Sequence, residues 1–446
     1  MKIAVIGTGY VGLVSGVCLA ANGHTVTCYD VNERTIDQLS TGKCHIYEPG
    51  LESLLVSCRS NINFCVLDNK TEKKIMAFDA VLVAVGTPTV DGRSDLSQVE
   101  AVAKMLGRLL RESDEYIAII IKSTVLPGTT DTVFKNIVEQ ESGKVVGDFG
   151  LGMNPEFLRE GCAIEDFQFP DRIVLGFEDL KTLEVLHAIY APWQCEKVET
   201  NTRSAEMMKY VNNALLATLI STINEYSNIA RMVGKIDFKQ VMHGVHLDNR
   251  WSPLGVTGAK VWPKVIDYLK PGCGYGGSCF PKDVMAISSL AQDIGVEAPI
   301  LSSVIDVNER QPLIMLDILK KHVCDLREKE VLMLGLSFKP DTDDVRESIS
   351  LKLLELLSDE VKLLSAHDPI AIANAKRELN LVSNIEFVDN WKAKVPKVDI
   401  IIIATKWIEY SDLHKMEGDI AGKIVFDMRS LLTQFDLSDL TYITVN

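Results

Sequence analysis

The segment Pro271-Gly272-Cys273-Gly274-Tyr275-Gly276-Gly277-Ser278-Cys279-Phe280-Pro281-Lys282-Asp283 is the part of this sequence best suited to covalent chemistry. Four glycines between 272 and 277 make a loop whose backbone can approach a ligand closely. A cysteine at the end of such a loop, next to the first turn of a following helix, has its thiolate favoured. Asp283 follows Cys279 by four residues, within one turn if the segment is helical. The pattern reads as a nucleophilic thiol with a carboxylate partner. Cys18, Cys28, Cys58 and Cys65 read as ordinary buried thiols. Cys273 sits in mid-loop with no acid nearby in sequence and is a decoy.

Glu206, Lys209, Asn213 and Asn224 are polar residues among apolar neighbours. Lys209 and Asn213 are four apart and share one helix face. A lysine and an amide turned into one cleft can hold an oxyanion and orient a water. A solvated helix face has the same spacing, and spacing alone does not choose between them.

Gly7-Thr8-Gly9-Tyr10-Val11-Gly12 follows a short apolar run, residues 2–6, and opens a helical pattern. Gly7 permits a tight turn, Gly9 lets backbone approach a pyrophosphate, and Gly12 lets helix and strand pack closely. A second apolar run ends in Asp30, about 20 residues on. A carboxylate there accepts from a ribose 2′-hydroxyl and repels a 2′-phosphate, so the expected cofactor is NAD rather than NADP. Val85-Gly86-Thr87-Pro88 and Ser123-Thr124-Val125 follow further strand-like runs, at what should be the same sheet edge. Each alone also fits a simple turn.

The runs at 2–6, 80–85 and 117–121 alternate with helical patterns such as 97–112, which indicates a parallel sheet covered on both faces. Residues 203–232 contain no Gly or Pro and read as one long helix capped by Asn201 or Thr202. Helical sequence continues to about 245, 250–279 is irregular, and helical patterning returns over 283–322. Strand runs resume at 331–336, 361–366, 399–405 and 423–428. The expected fold class is α/β, with two doubly wound Rossmann-like domains joined by a helical middle. The expected boundaries are 1–199, 200–312 and 313–446.

The chain has 446 residues, 47% of them hydrophobic and 24% charged, in the range of folded globular proteins. A net charge of -15 argues against broad binding to nucleic acid or to an anionic membrane. Ten scattered cysteines with no CxxC pair point to a reducing compartment and give no metal site. No signal peptide and no apolar stretch of membrane-spanning length is read. The expectation is a cytoplasmic protein.

Together these residues resemble the UDP-glucose dehydrogenase family, within the wider UDP-glucose/GDP-mannose dehydrogenase group. The resemblance rests on KIAVIGTGYVG at 2–12, YEPGL at 47–51, VGTP at 85–88, STVLPGTT at 123–130 and NPEFLREG at 154–161. It continues through PDRIVLG at 170–176, KYVNNALLA at 209–217, GYGGSCFPKD at 274–283 and FKPDTDDVRES at 338–348. It implies four-electron oxidation of a nucleotide sugar, UDP-glucose to UDP-glucuronate, with NAD as acceptor. Cys279 would be the nucleophile, Lys209 and Asn213 the holders of oxyanion and water, and Asp283 an aid to proton transfer. Glu160 and Thr124 would support hydrolysis. NAD would be held by Gly7, Gly9, Tyr10, Val11, Gly12, Asp30, Arg34, Thr87, Thr124, Lys282 and Arg346. Around the nucleotide sugar would lie Phe157, Leu158, Glu160, Lys209, Asn213, Arg250, Tyr275, Gly276, Phe338 and Lys339. The resemblance also implies homodimers built on the long helix, or assemblies of such dimers.

Three places depart from the family pattern. The usual Pro-Arg-Ile before the glycine loop is absent, which leaves Arg250 only a candidate. Asp427-Met428-Arg429-Ser430 and Thr405-Lys406-Trp407 each differ by one residue from the common form. Other substrates remain open, GDP-mannose or a UDP-N-acetylhexosamine among them, although Phe280-Pro281 favours the UDP-glucose branch. A two-electron dehydrogenase of the 2-hydroxyacid type and a binding regulator without turnover are the competing classes.

Overall fold

The computed structural model describes residues 1–445 apart from 91, 324, 381, 383, 438 and 439. The chain divides into two compact units, 1–212 and 213–446.

The first unit is built on strands β1 (Lys2–Ile6), β2 (Thr25–Asp30), β3 (Ile62–Val66), β4 (Ala80–Val83), β7 (Ala118–Ile121), β8 (Gly150–Met153), β9 (Arg172–Phe177) and β10 (Glu196–Thr200). A two-stranded hairpin, β5 (Thr89–Val90) and β6 (Arg93–Ser94), stands apart. The sheet order is β10-β9-β8-β7-β4-β1-β2-β3. Its central strands are apolar throughout because both faces are covered. Ile3 and Val5 belong to one core, and Ala4 and Ile6 to the core on the other face.

The sheet departs from the expected parallel arrangement once, where β9 runs antiparallel to β8. A parallel return needs a crossover of a dozen or more residues back along the sheet. Here the intervening chain, residues 154–171, is long enough but makes no such crossover; its one helix is the short Ala163–Gln168. The segment after β8 therefore stays at the carboxyl edge of the sheet. Gly7, Asp30, Val85, Lys122 and Asn154 all follow or end strands at that edge.

The helix Thr202–Val233 forms as its sequence suggests. Asn201 caps it, its Oδ1 accepting from Ser204 N at 2.9 Å, and Thr202 in the first turn donates its hydroxyl to Glu178 Oε1 at 2.5 Å. Four residues on, Glu206 is fully buried and accepts from the backbone N–H groups of Gly128 (2.7 Å) and Thr130 (2.8 Å). That carboxylate fixes the turn that follows Thr124.

The second unit carries a parallel sheet: β11 (Glu330–Leu334), β12 (Leu363–His367), β13 (Ile385–Phe387), β14 (Ile400–Ile403), β15 (Ile424–Asp427) and β16 (Thr441–Thr444). Its order, β13-β12-β11-β14-β15-β16, repeats that of β3-β2-β1-β4-β7-β8. Val331 and Met333 face one core while Leu332 and Leu334 face the other. The local likeness extends further. Gly7 N donates to Tyr29 O and Gly335 N to His367 O, both at 2.8 Å, and an aspartate, Asp30 or Asp368, follows at the end of the second strand. Asp368, however, accepts from Leu336 N, Ser337 N, Ile370 N, Ala371 N and the Trp407 indole.

The helical run expected over 283–322 is two helices, Phe280–Asp293 and Pro299–His322, interrupted at Ile294-Gly295. The first starts earlier than expected because Pro281 sits in its first turn, where a missing N–H is harmless. Among the described residues, no helix is long and apolar enough to cross a membrane.

Burial pushes the Glu206 carboxyl up to about 7, against the pull of the N–H donors of Thr130 and Gly128. A raised carboxyl contributes stability that is present below its unfolded value and is lost as pH rises through the folded one. Thermal unfolding between pH 5 and 8 should therefore show a loss assignable to Glu206, at most roughly 3 kcal/mol. Glu206→Gln should flatten that part of the curve.

Candidate active site

In the first unit, the glycine loop between β1 and the helix Tyr10–Ala21 is shaped for a ligand. Gly7 has φ +96°, and a Cβ there would lie 2.6 Å from Ala84 O. A Cβ on Gly12 would lie 2.0 Å from Gly7 O, so helix and strand touch at that point. Gly9 differs: φ is -62° and ψ -173°, open to any residue, and a Cβ would meet nothing within 4 Å. The protein itself does not require glycine at position 9. Close backbone approach to a pyrophosphate does, so the loop fits NAD.

Asp30 Oδ2 accepts from Thr8 N (2.8 Å) and Thr8 Oγ1 (2.7 Å), and Oδ1 accepts from Asn32 N (2.9 Å). The carboxylate thus ties the loop to β2 and keeps acceptor capacity for a ribose hydroxyl. Arg34 lies exposed in the first turn of the helix Glu33–Ser40. The two candidate turns are joined: Thr87 Oγ1 donates to Thr124 O (2.8 Å), and Ser123 Oγ to Val85 O (2.7 Å). Val11 is half-buried in the helix that the glycine loop opens. Tyr10 donates its hydroxyl to Glu48, and Glu48 also accepts from Gly161 N (2.7 Å) and Ala163 N (2.8 Å). The YEPGL segment thereby anchors the loop that carries Phe157, Leu158 and Glu160.

Lys209 is 3% exposed and pairs with Glu156 at 2.7 Å. Asn213 is 5% exposed, and its Nδ2 donates to Asp283 Oδ2 at 2.7 Å. The solvated-face alternative for these residues is excluded. Glu156 holds its own loop by accepting from Leu158 N (2.6 Å). The Phe157 ring lies under the Arg172 guanidinium at 3.8 Å. Lys122 and Asn154, which sequence reasoning passed over, lie by the Lys209–Glu156 pair: Lys122 Nζ donates to Asn154 Oδ1 at 2.7 Å, and the charges of Glu156 and Lys209 act on it. The available signal was a lysine directly ending a run of buried isoleucines.

In the second unit, Cys279 is the N-cap of the helix Phe280–Asp293 and is partly exposed. Asp283 N donates to Cys279 O at 2.8 Å, so the acid sits one turn on, as expected. Both Asp283 oxygens have donors: Lys282 Nζ at 2.8 Å on Oδ1 and Asn213 on Oδ2. Lys282 is thus engaged with the neighbouring carboxylate. The glycine loop packs where side chains cannot fit. A Cβ on Gly276 would lie 2.2 Å from Glu347 O, and Gly277 lies against the Phe338 ring and donates to Arg346 O at 2.9 Å. Tyr275 is pinned by Asn308, which accepts from its N–H (2.8 Å) and donates to its carbonyl (3.0 Å). Phe338 and Lys339, both partly exposed, adjoin the cysteine loop. Arg346 is paired with Asp344 (2.8 Å), and Arg250 with Asp248 on the exposed surface. Cys273 is fully buried and its thiol is pushed up by burial, as befits a decoy.

Models of three domains of the UDP-glucose/GDP-mannose dehydrogenase family match this chain: the NAD binding domain over residues 1–194, the central domain over 203–310 and the UDP binding domain over 332–434. A UDP-glucose 6-dehydrogenase of Haloferax volcanii is 37% identical, with 97% of this chain and 98% of the relative covered. A UDP-glucose 6-dehydrogenase of Bacillus subtilis is 38% identical, with coverage of 97% and 94%. The solved structure of a UDP-glucose dehydrogenase from Pyrobaculum islandicum is similar with a TM-score of 0.87 at 37% identity, covering 100% of this chain and 97% of that one.

The contrast between the glycines is testable. Gly9→Val should weaken NAD binding at least tenfold in titration calorimetry, leaving the melting temperature unchanged. Gly12→Ala should destabilise the fold by about 3 kcal/mol, because its Cβ meets a carbonyl.

Proposed function

The chain belongs to the UDP-glucose/GDP-mannose dehydrogenase family, NAD-dependent oxidoreductases of nucleotide sugars, and on that premise we propose that it oxidises C6 of UDP-glucose to a carboxylate through a thioester on Cys279. The observation that carries this is Cys279 itself: a partly exposed thiol at the N-cap position of a helix, one turn before a carboxylate held by an amide and a lysine. A dehydrogenase that stops at the aldehyde has no use for such a thiol.

NAD, when bound, accepts one hydride in each of the two oxidations. In the first, C6 loses a hydride and its hydroxyl loses a proton, giving an aldehyde. Asp283 assists that proton transfer. The Cys279 thiolate adds to the carbonyl carbon, and Lys209 and Asn213 stabilise the oxyanion that forms. The thiohemiacetal then loses a hydride and a proton to become a thioester. Water, oriented by Glu160 and Thr124, attacks the acyl carbon. The carbon–sulfur bond breaks and the thiolate is regenerated.

Gly7, Gly9, Gly12 and Asp30 hold the cofactor, with Tyr10, Val11, Arg34, Thr87, Thr124, Lys282 and Arg346 around it. Phe157, Leu158, Tyr275, Gly276, Phe338, Lys339 and Arg250 are assigned to the nucleotide sugar. The working division is 1–199 for NAD, 200–312 for assembly and the cysteine loop, and 313–446 for the nucleotide. The protein is assigned to the cytoplasm, consistent with free thiols at all nine described cysteines.

The assembly is a homodimer, or a set of such dimers, built on the helix Thr202–Val233. Leu215, Tyr226, Ile229 and Met232 on that helix are between 53 and 70% exposed, an apolar stripe that favours a partner.

UDP-glucose should yield two NADH per molecule consumed, measured at 340 nm against a panel of nucleotide sugars. One NADH per substrate would contradict the reading, as would turnover of another sugar alone. Cys279→Ser should reduce turnover at least a hundredfold while leaving NAD affinity intact. Tyr226→Glu combined with Ile229→Arg should halve the mass found by light scattering.

A further inference from the structure

Lys122 ends the apolar strand β7 and is 3% exposed. Its hydrogen bonds go to two uncharged acceptors of one residue, Asn154 Oδ1 at 2.7 Å and Asn154 O at 3.4 Å. Among the described residues, no carboxylate lies within ion-pair distance of it. The Phe167 ring lies 5.8 Å from the ammonium. Asn154 is itself fixed, since its Nδ2 donates to Val174 O at 2.8 Å and its Oδ1 also accepts from the Tyr190 hydroxyl. A buried cation without a carboxylate is costly, and folds retain few of them without a use.

The charged groups acting on Lys122 are Glu156, from the loop after β8, and Lys209, from the helix Thr202–Val233. Tyr190 is the titratable group facing Asn154, and burial raises its hydroxyl far above neutrality. Lys209 and Glu156 form an ion pair, and Lys122 adds a second buried ammonium beside that carboxylate. Buried ammonium groups fixed in place are what a developing oxyanion requires.

We infer that Lys122 is a positioning residue of the reaction: held on Asn154, its buried ammonium offsets the Glu156 carboxylate and so frees the charge of Lys209 for the substrate oxyanion. This rests on the oxyanion role proposed for Lys209. Burial depresses Lys122 to about 8, with Glu156 opposing and Lys209 reinforcing the shift.

Lys122→Met separates this role from a scaffolding one. Asn154 Oδ1 keeps the Tyr190 hydroxyl as donor, so the substitution leaves no orphan acceptor there. A lysine depressed by burial costs stability while protonated in the fold, and that cost fades as pH rises from about 8 toward its unfolded value. Lys122→Met should therefore melt at or above the wild-type temperature at pH 7 and lack any gain between pH 8 and 10. Its kcat for UDP-glucose should fall tenfold or more, with KM for both substrates within twofold. The wild-type rate should decline above pH 8 through an ionisation that the variant lacks.

Asn154→Asp, nearly isosteric, sets an anion against Lys122. It should cost kcat similarly while moving that ionisation to higher pH. Wild-type kcat in Lys122→Met, or a lowered melting temperature with kcat falling only as the folded fraction falls, overturns the inference. Failure of both variants to fold and bind NAD does so too, because Lys122 would then be scaffold. Cys279→Ser, run alongside, keeps the two failures apart. An active Cys279→Ser variant sinks the thioester reading, whereas an inactive one beside a fully active Lys122→Met variant sinks this inference alone.

Discussion

Charge kept away from water governs the chemistry-bearing parts of this molecule. Lys209 and Glu156 are both nearly inaccessible, and neither would tolerate burial without the other. Their pairing dictates much around them. Glu156 must stand at the carboxyl edge of the sheet, so the segment after β8 has to remain there, and the antiparallel entry of β9 keeps it there. Asp283 follows the same rule, with each oxygen supplied by one donor. Glu206 does likewise for the turn after Thr124, using backbone N–H groups in place of a cation. Polar side chains on one long helix thus organise loops from distant parts of the sequence.

Much of this was legible beforehand, for identifiable reasons. Strand and helix positions followed from apolar runs such as residues 118–121 and 400–403, where burial on both faces leaves no room for polar residues. The glycine turn after β1 was readable because Gly7, Gly9 and Gly12 stand at a fixed spacing behind an apolar run. The placement of Cys279 at a helix start, one turn before Asp283, was readable because glycine density and a nearby carboxylate are local features. The antiparallel strand was not, since strand direction is set by where a connection lies in space. Lys122, Asn154 and Glu48 were missed for a related reason. Their significance lies in partners 32 to 115 residues away, which no local pattern records.

The long helix illustrates the limit most directly. Lys209 and Asn213 presented two readings of equal merit from spacing alone. Burial decided between them, and burial depends on what packs against the helix. The two Rossmann-like sheets make a parallel point. They share strand order and a glycine turn, yet Asp368 is surrounded by donors and the segment after Gly335 carries Leu336, Ser337 and Phe338 in place of further glycines. The same scaffold serves two purposes through side chains at one edge.

Asp30 also carries two duties at once. On the proposed reading it accepts from a ribose hydroxyl of the cofactor, and it also anchors Thr8 through both backbone and side chain. Cofactor preference and loop geometry then rest on one carboxylate. An engineer wishing to admit a phosphorylated dinucleotide could not neutralise that residue in isolation. The glycine turn would need a substitute tether first, and that coupling makes the preference hard to alter by a single substitution.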